Sequence, residues 1–332
     1  MAEIVLGIGT SHSPLLALSP AEWTGRGSDD KRNLKLNLSD GRYLSYSELE
    51  AEVGARYAEQ ATLSNFEAQS KQCQQALDDL QAALSSAAPD VVVIIGDDQD
   101  ELFPLTNLPA FAIYYGDELA TRPLETMDHI PHWLNDSEVP ESYAMDEVRY
   151  FAGSPELGRF LIENLVARHV DVGAISKVET TDIEGFGHAF GFIIHRLFNG
   201  RSIPVVPVLL NTYFPPNRPV PERCYHIGKV LREAIESYPE PLRVAVVASG
   251  GLSHFVCDEI LDRQVLTALE TGDADTLCGI PQGALNGGSS EISNWIMLAG
   301  VMEGRNCELV DYVPVKRTAA GTGVGLGFMV WK

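Results

Sequence analysis

The sequence predicts an α/β fold built on a largely parallel sheet and formed as a single domain. Three observations carry this reading. The stretch Val91-Val92-Val93-Ile94-Ile95 is an unbroken β-branched run without polar alternation, the pattern of a strand covered on both faces. Runs of this kind alternate with amphipathic helical segments, and no linker-like tract interrupts the 332 residues. Several runs also end in a polar cluster, and in open α/β sheets ligands collect beyond the carboxyl ends of the strands. At Gly96 the backbone can turn tightly and aim Asp97, Asp98 and Gln99 into such a crevice, although a solvated acidic loop would account for the same residues.

Taken in order, Ile4 to Gly9 reads as a first strand, leading into Thr10-Ser11-His12-Ser13-Pro14. His12 therefore stands where a buried strand leaves the sheet, a better place for chemistry than most packed histidines occupy. Residues 19 to 48 carry Trp23, mixed charges and turn residues with no period of 2 or 3.6, and read as a long loop acting as a lid or subunit contact. Ser45-Tyr46-Ser47-Glu48 has capping-box spacing and opens a helix with Leu49, Val53 and Tyr57 at helical spacing. A second helix from about Leu63 to Ala87 places Phe66, Cys73, Leu77, Leu80 and Leu84 on one face, and Pro89 stops it. Leu108 to Gly116 reads as another strand, and the acidic, Pro-punctuated residues 117 to 150 as a surface loop. His129 and His132 have metal-ligand spacing there, but Pro131 argues against the regular helix that spacing requires. A helix from Pro155 to His169 and a strand from Val170 to Val178 continue the alternation.

The turn Gly185-Phe186-Gly187-His188 is more informative, because flanking glycines leave room for a ligand to reach the His188 imidazole as a general base or hydrogen-bond donor. His195, among Ile193, Ile194 and Leu197, reads as a packed helix histidine. A strand at Ile203 to Leu210 ends in Asn211-Thr212-Tyr213-Phe214-Pro215-Pro216, and an amphipathic helix follows from Pro221 through Tyr238. The last long buried strand, Leu242 to Ala248, ends in Ser249-Gly250-Gly251-Leu252-Ser253-His254, where the double glycine could open backbone N–H groups to an anion. Asp258, Glu259 and Asp262 begin the next helix, where capping the positive end of the dipole competes with metal binding as their role. A helix from Ile292 to Glu303 and a strand from Glu308 to Val315 follow, and the Gly-rich 318–327 lacks the Lys-Ser/Thr and helix of a phosphate loop.

A formal net charge of −22, spread along the chain, disfavours nucleic acid and anionic membrane surfaces as partners. The five cysteines are scattered without a Cys-x-x-Cys pair, so a reducing cytoplasm is the expected location, and no apolar run reaches transmembrane length.

The motifs at His12, Gly185–His188, Asn211–Pro216 and Ser249–His254, in that order over nearly the whole chain, resemble the class III extradiol ring-cleaving dioxygenases of the protocatechuate 4,5-dioxygenase catalytic subunit type. The resemblance implies a three-layer α/β sandwich with a central mixed, largely parallel sheet. It also implies Fe(II) held by two histidines and a glutamate, beside a histidine acting as acid/base. His12 matches the first ligand and His188 the acid/base residue. The second histidine corresponds to Gln99, and the glutamate position falls on Ile260 with Glu259 one residue away, about 100° around the helix. The implied metal set is therefore His12, Gln99 and Glu259. His188, His12 and Asp98 would do the chemistry, and Ser249, Gly250, Gly251, His254 and Tyr213 would bind substrate. The expected substrates are a catechol-like aromatic acid and O₂, with a homodimer or a small companion subunit as the assembly. Because Gln99 and Ile260 replace expected ligands, the alternatives are a metal-free hydrolase or lyase and a degenerate supporting subunit.

Overall fold

The computed structural model describes residues 1–127, 134, 137–181 and 184–332; His129 and His132 lie outside the described residues. In chain order the elements are β1 (Glu3–Thr10), α1 (Pro20–Asp30), the short pair β2 (Leu36–Asn37) and β3 (Tyr43–Leu44), α2 (Tyr46–Val53), α3 (Leu63–Ala87), β4 (Val91–Asp97) and β5 (Phe111–Tyr114). Next come β6 (Glu118–Ala120), α4 (Val139–Ser142), β7 (Tyr150–Ala152), α5 (Pro155–Ala167), β8 (Gly173–Ile175), α6 (His188–Leu197), β9 (Val205–Leu210), α7 (Pro221–Glu236) and β10 (Arg243–Ser249). The chain closes with β11 (His254–Val256), α8 (Glu259–Thr271), α9 (Ala274–Cys278), α10 (Ile292–Val301), β12 (Cys307–Lys316) and β13 (Thr322–Trp331).

Among the described residues, nine strands form one mixed sheet. Its centre is parallel: β1 pairs β10, β10 pairs β4, and β4 pairs β9. Beyond β9, β5 runs antiparallel and β8 joins it in parallel. On the other side β13 is antiparallel to β1, β11 and β12. The period of 2 along β4 explains the layers. Val91, Val93 and Ile95 pack into a core with Leu161 of α5, Leu231 of α7 and Trp295 of α10, while Val92 and Ile94 pack opposite with Leu77 of α3 and Ile193 of α6. Each fully buried side chain of this size contributes about 1.5–3 kcal/mol, so a one-residue slip of β4 would exchange both faces at once. The sheet is thus the middle of three layers, and the polar ends of β1, β4 and β10 emerge at one edge. Among the described residues no helix is long and apolar enough to cross a membrane.

Local chemistry sets the helix ends. Ser45 and Glu48 form the expected capping box at α2, and α3 buries Phe66, Cys73, Leu77, Leu80 and Leu84. Four expectations are corrected. Residues 20–30 form a helix instead of a loop, opened by a second capping box at Ser19 and Glu22. Its buried positions are Trp23, Gly27 and Asp30, so no apolar stripe marks it: Gly27 lets the backbone approach Arg317, and Asp30 is paired with that arginine. The described residues of 117–150 are not a surface excursion, because Leu119, Leu124, Val139, Tyr143 and Met145 are buried and β6 pairs β7. His195 lies on α6 as expected but faces solvent, and the strand expected over 170–178 is reduced to β8.

Candidate active site

β1 and β10 run in parallel register, Thr10 opposite Ser249, which brings His12 beside Ser249. The Ser249 hydroxyl meets His12 Nδ1 at 2.9 Å, and Tyr143 donates its hydroxyl to the His12 carbonyl at 2.8 Å. With its ring held by Ser249 and its backbone by Tyr143, the imidazole presents Nε2 to Glu291 Oε2 at 3.3 Å. Glu291 precedes α10 and also accepts the Gly251 N–H at 2.5 Å. The third member is Asp97, the last residue of β4: one ligand atom each from His12, Asp97 and Glu291 lie within 4.8 Å of one another, all buried.

Burial would raise the Glu291 pKa, but the neighbouring His12 and His254 and the hydrogen bonds from His12 and Gly251 hold its carboxyl well below the ordinary range. Asp97 is pushed the other way, by burial and then by the Glu291 carboxylate. Two buried acids facing each other beside an imidazole form a donor set that suits a divalent cation, whose charge offsets their repulsion. Gln99 braces this set. Its Nε2 donates to Asp97 Oδ2 at 2.9 Å and to Glu291 Oε1 at 3.4 Å, and Asn294 Nδ2 reaches the other Asp97 oxygen at 3.3 Å.

Two further histidines line the same cavity of about 260 Å³. His188, the first residue of α6, hydrogen-bonds through Nδ1 to Glu101 Oε1, and its ring stands edge-on to His12 with centroids 4.6 Å apart. Burial alone would lower the His188 pKa, but Glu101, with Asp97 and Glu291 adding, raises it to about 9. Gly187 permits this pairing: a Cβ there would sit 2.1 Å from the Glu101 carboxyl carbon. His254 is the opposite case. Its Nδ1 donates to the Leu252 carbonyl at 2.9 Å, which leaves Nε2 as an acceptor, and burial lowers its pKa against the opposing pull of Glu291. The two imidazoles therefore carry different charge at neutral pH.

The structure brings together His12, Gln99, His188, His254 and Tyr213 around this cavity. It does not bring in Glu259, which is paired with the buried Lys316 and with Arg263 on the flank of α8; the neighbouring Ile260 is 83% exposed. Asp98 does not line the cavity either, since its carboxylate accepts the N–H groups of Leu102 and Phe103 and shapes the turn after β4. Ser249 acts on His12. The Gly250 and Gly251 amides are taken by Thr10 and Glu291, so they are not open to a substrate anion. Sequence reasoning missed Glu291 and Glu101, and it aimed Asp97 into the crevice without assigning it to the metal set. A signal for Glu291 was present: Glu291 and Asn294, three apart, are acid and amide at the head of the otherwise apolar Ile292–Val301.

Comparison with known proteins places the chain in a family. Residues 59–327 match the family described as the catalytic LigB subunit of aromatic ring-opening dioxygenase. The chain is 37% identical over 101 residues to the gallate dioxygenase of Pseudomonas putida, covering 25% of this chain and 28% of that protein. It is 29% identical over 181 residues to the 2,3-dihydroxyphenylpropionate/2,3-dihydroxicinnamic acid 1,2-dioxygenase of Comamonas testosteroni, covering 52% of this chain and 46% of that protein. These matches span less than half the length of either relative.

Proposed function

The chain belongs to the family of catalytic LigB subunits of aromatic ring-opening dioxygenases, and on that premise we propose that it opens the ring of a vicinal aromatic diol with O₂, using Fe(II) held by His12, Asp97 and Glu291. The observation that carries the reading is the buried His12/Asp97/Glu291 set at the wall of a cavity that His188 and His254 also line, the first paired with a carboxylate and the second hydrogen-bonded to a carbonyl. When bound, the ion supplies positions on which a diol and O₂ can be held side by side. His254 Nε2 is the base that accepts a hydroxyl proton from the diol, because its Nδ1 proton is fixed on Leu252. His188, kept cationic by Glu101, holds the proton that is returned to an oxygen developing charge. Gln99 orients the two carboxylates instead of serving as a ligand, which accounts for an amide where the resemblance implies a histidine. Tyr213 stays protonated, since burial, with Glu291 and Asp97 adding, pushes its hydroxyl up to about 12, and it can donate to a substrate oxygen.

Protein purified anaerobically and supplied with Fe(II) is expected to hold near-stoichiometric iron by elemental analysis, to lose it in His12→Ala and Glu291→Ala, and to consume O₂ with catechols. Folded protein that retains no iron, or iron-loaded protein without oxygen uptake across a catechol panel, refutes the reading.

A further inference from the structure

Resting on the ring-opening reading, we propose that the cavity selects diols whose ring substituent is uncharged and apolar, and discriminates against ring carboxylates. The cavity has two unlike ends. Around His12 it is polar; away from it, Leu124, Met127, Leu134 and Phe255 form an apolar wall. Three of those four, Leu124, Met127 and Leu134, lie close together in sequence, and each lines the cavity. No Arg or Lys lines the cavity among the described residues, and the sequence places none at 128–133, 135–136 or 182–183.

Two arginines near the site spend their guanidinium groups on the protein's own acceptors, apart from Arg218 Nε, which is buried without a partner in a residue that does not line the cavity. Arg122 donates to Thr126 and to the Asp100 carbonyl, and Arg218 to the Leu285 carbonyl and Asn286. The acids Glu101 and Glu291 face the same space. A substrate carboxylate at the apolar end would lose its water and meet no free cation among the described residues in exchange, since the His188 imidazole is already paired with Glu101, which is the costly way to bury an ion. The net charge of −22 opposes its approach as well. The two relatives are named for gallate and dihydroxyphenylpropionate, both carboxylates, so this chain departs from them in the substituent it accepts.

Size sets the substituent. A dry cavity of about 150 Å³ takes benzene. The cavity of about 260 Å³ therefore leaves about 100 Å³ beyond the ring; the two hydroxyl oxygens take about 60 Å³ of it at roughly 30 Å³ each, leaving room for one or two further heavy atoms. A methyl or ethyl group fits this space.

Matched pairs test the proposal: 4-methylcatechol against protocatechuate, 3-methylcatechol against 2,3-dihydroxybenzoate, and 4-ethylcatechol against 3,4-dihydroxyphenylacetate. Binding to the metal-free protein by calorimetry and kcat/KM of the iron-loaded protein by oxygen uptake are both read. Each alkylcatechol is expected to bind at least tenfold tighter than its carboxylate partner. Met127→Arg, at a half-buried position where a guanidinium can still reach water, is expected to narrow or invert the preference. Carboxylates that bind as tightly as their partners, or a protein that binds neither, overturn the proposal. A binding preference without oxygen uptake would refute the ring-opening reading and leave the selectivity standing.

Discussion

Replacing Glu101 with Gln in the metal-free protein should discharge His188. In the native chain the pKa of that imidazole stands at about 9 although burial pulls it below 6.5, and Glu101 is the main charge responsible. Asp97 and Glu291 remain in the variant but contribute less, so the His188 pKa is expected to fall to near 6.5, at least about two pH units lower. At about 1.4 kcal/mol per unit this is about 3 kcal/mol. The sign for stability follows from a cation whose pKa is raised on folding: the pairing contributes in full below pH 6.5 and is lost as pH rises through 9. Native protein should therefore lose about 3 kcal/mol of unfolding free energy over that window, and Glu101→Gln should lose little. The assay is an NMR titration of the imidazole resonances, with His188→Asn assigning the signal, alongside urea unfolding at several pH values. Gly187→Ala is the companion variant. It keeps both charges but drives a methyl into the space of the Glu101 carboxyl, and should lower the His188 pKa in the same direction. If His188 in Glu101→Gln titrates within about half a unit of the native value, the carboxylate is not what holds the proton, and the acid role of His188 loses its basis.

Other outcomes follow from contacts elsewhere. Asp30→Asn leaves the Arg317 guanidinium, 9% exposed and held at 2.9 and 3.1 Å, without its charge partner, and should cost about 3–5 kcal/mol in urea unfolding; a loss under about 1 kcal/mol would show that the pair does not anchor α1. Burial pushes Asp262 up to about 7 despite hydrogen bonds from Tyr312 and Ser253. Its folded pKa lies above the unfolded 3.8, so stability should fall by up to about 4 kcal/mol between pH 4 and 7. Asp262→Asn should flatten that slope; an unchanged slope means the three donors already stabilise the carboxylate. Glu259→Gln should leave iron content unchanged while weakening the fold by about 1–3 kcal/mol through Lys316, whose side chain is 1% exposed; loss of iron in that variant would return Glu259 to the metal site.

The elements that bury apolar stripes were legible because periodicity is a local property: α3 and the β4 run could be read from spacing alone, and the covered strands fix the α/β class. Helix α1 was not legible, since its buried face is a tryptophan, a glycine and an aspartate whose arginine partner lies 287 residues away in sequence. The site divides in the same way. His12 and His188 were readable as polar residues at the ends of buried strands or between glycines, where local context exposes a side chain to a crevice. Gln99 was placed in the site, but its role was set by which carboxylates its amide meets. Glu291 and Glu101 depend on distant partners, His12 and Gly251 for one and His188 for the other. The local pattern favoured Glu259 over Glu291, because one acid near the Ser253-His254 motif looks much like another until the chain folds. The sequence by itself determined the sheet, its layers and the histidines at its edge. Only the tertiary structure decided which acids face them, because ligand geometry is a relation among residues remote in the chain and leaves no periodic trace in any one of them.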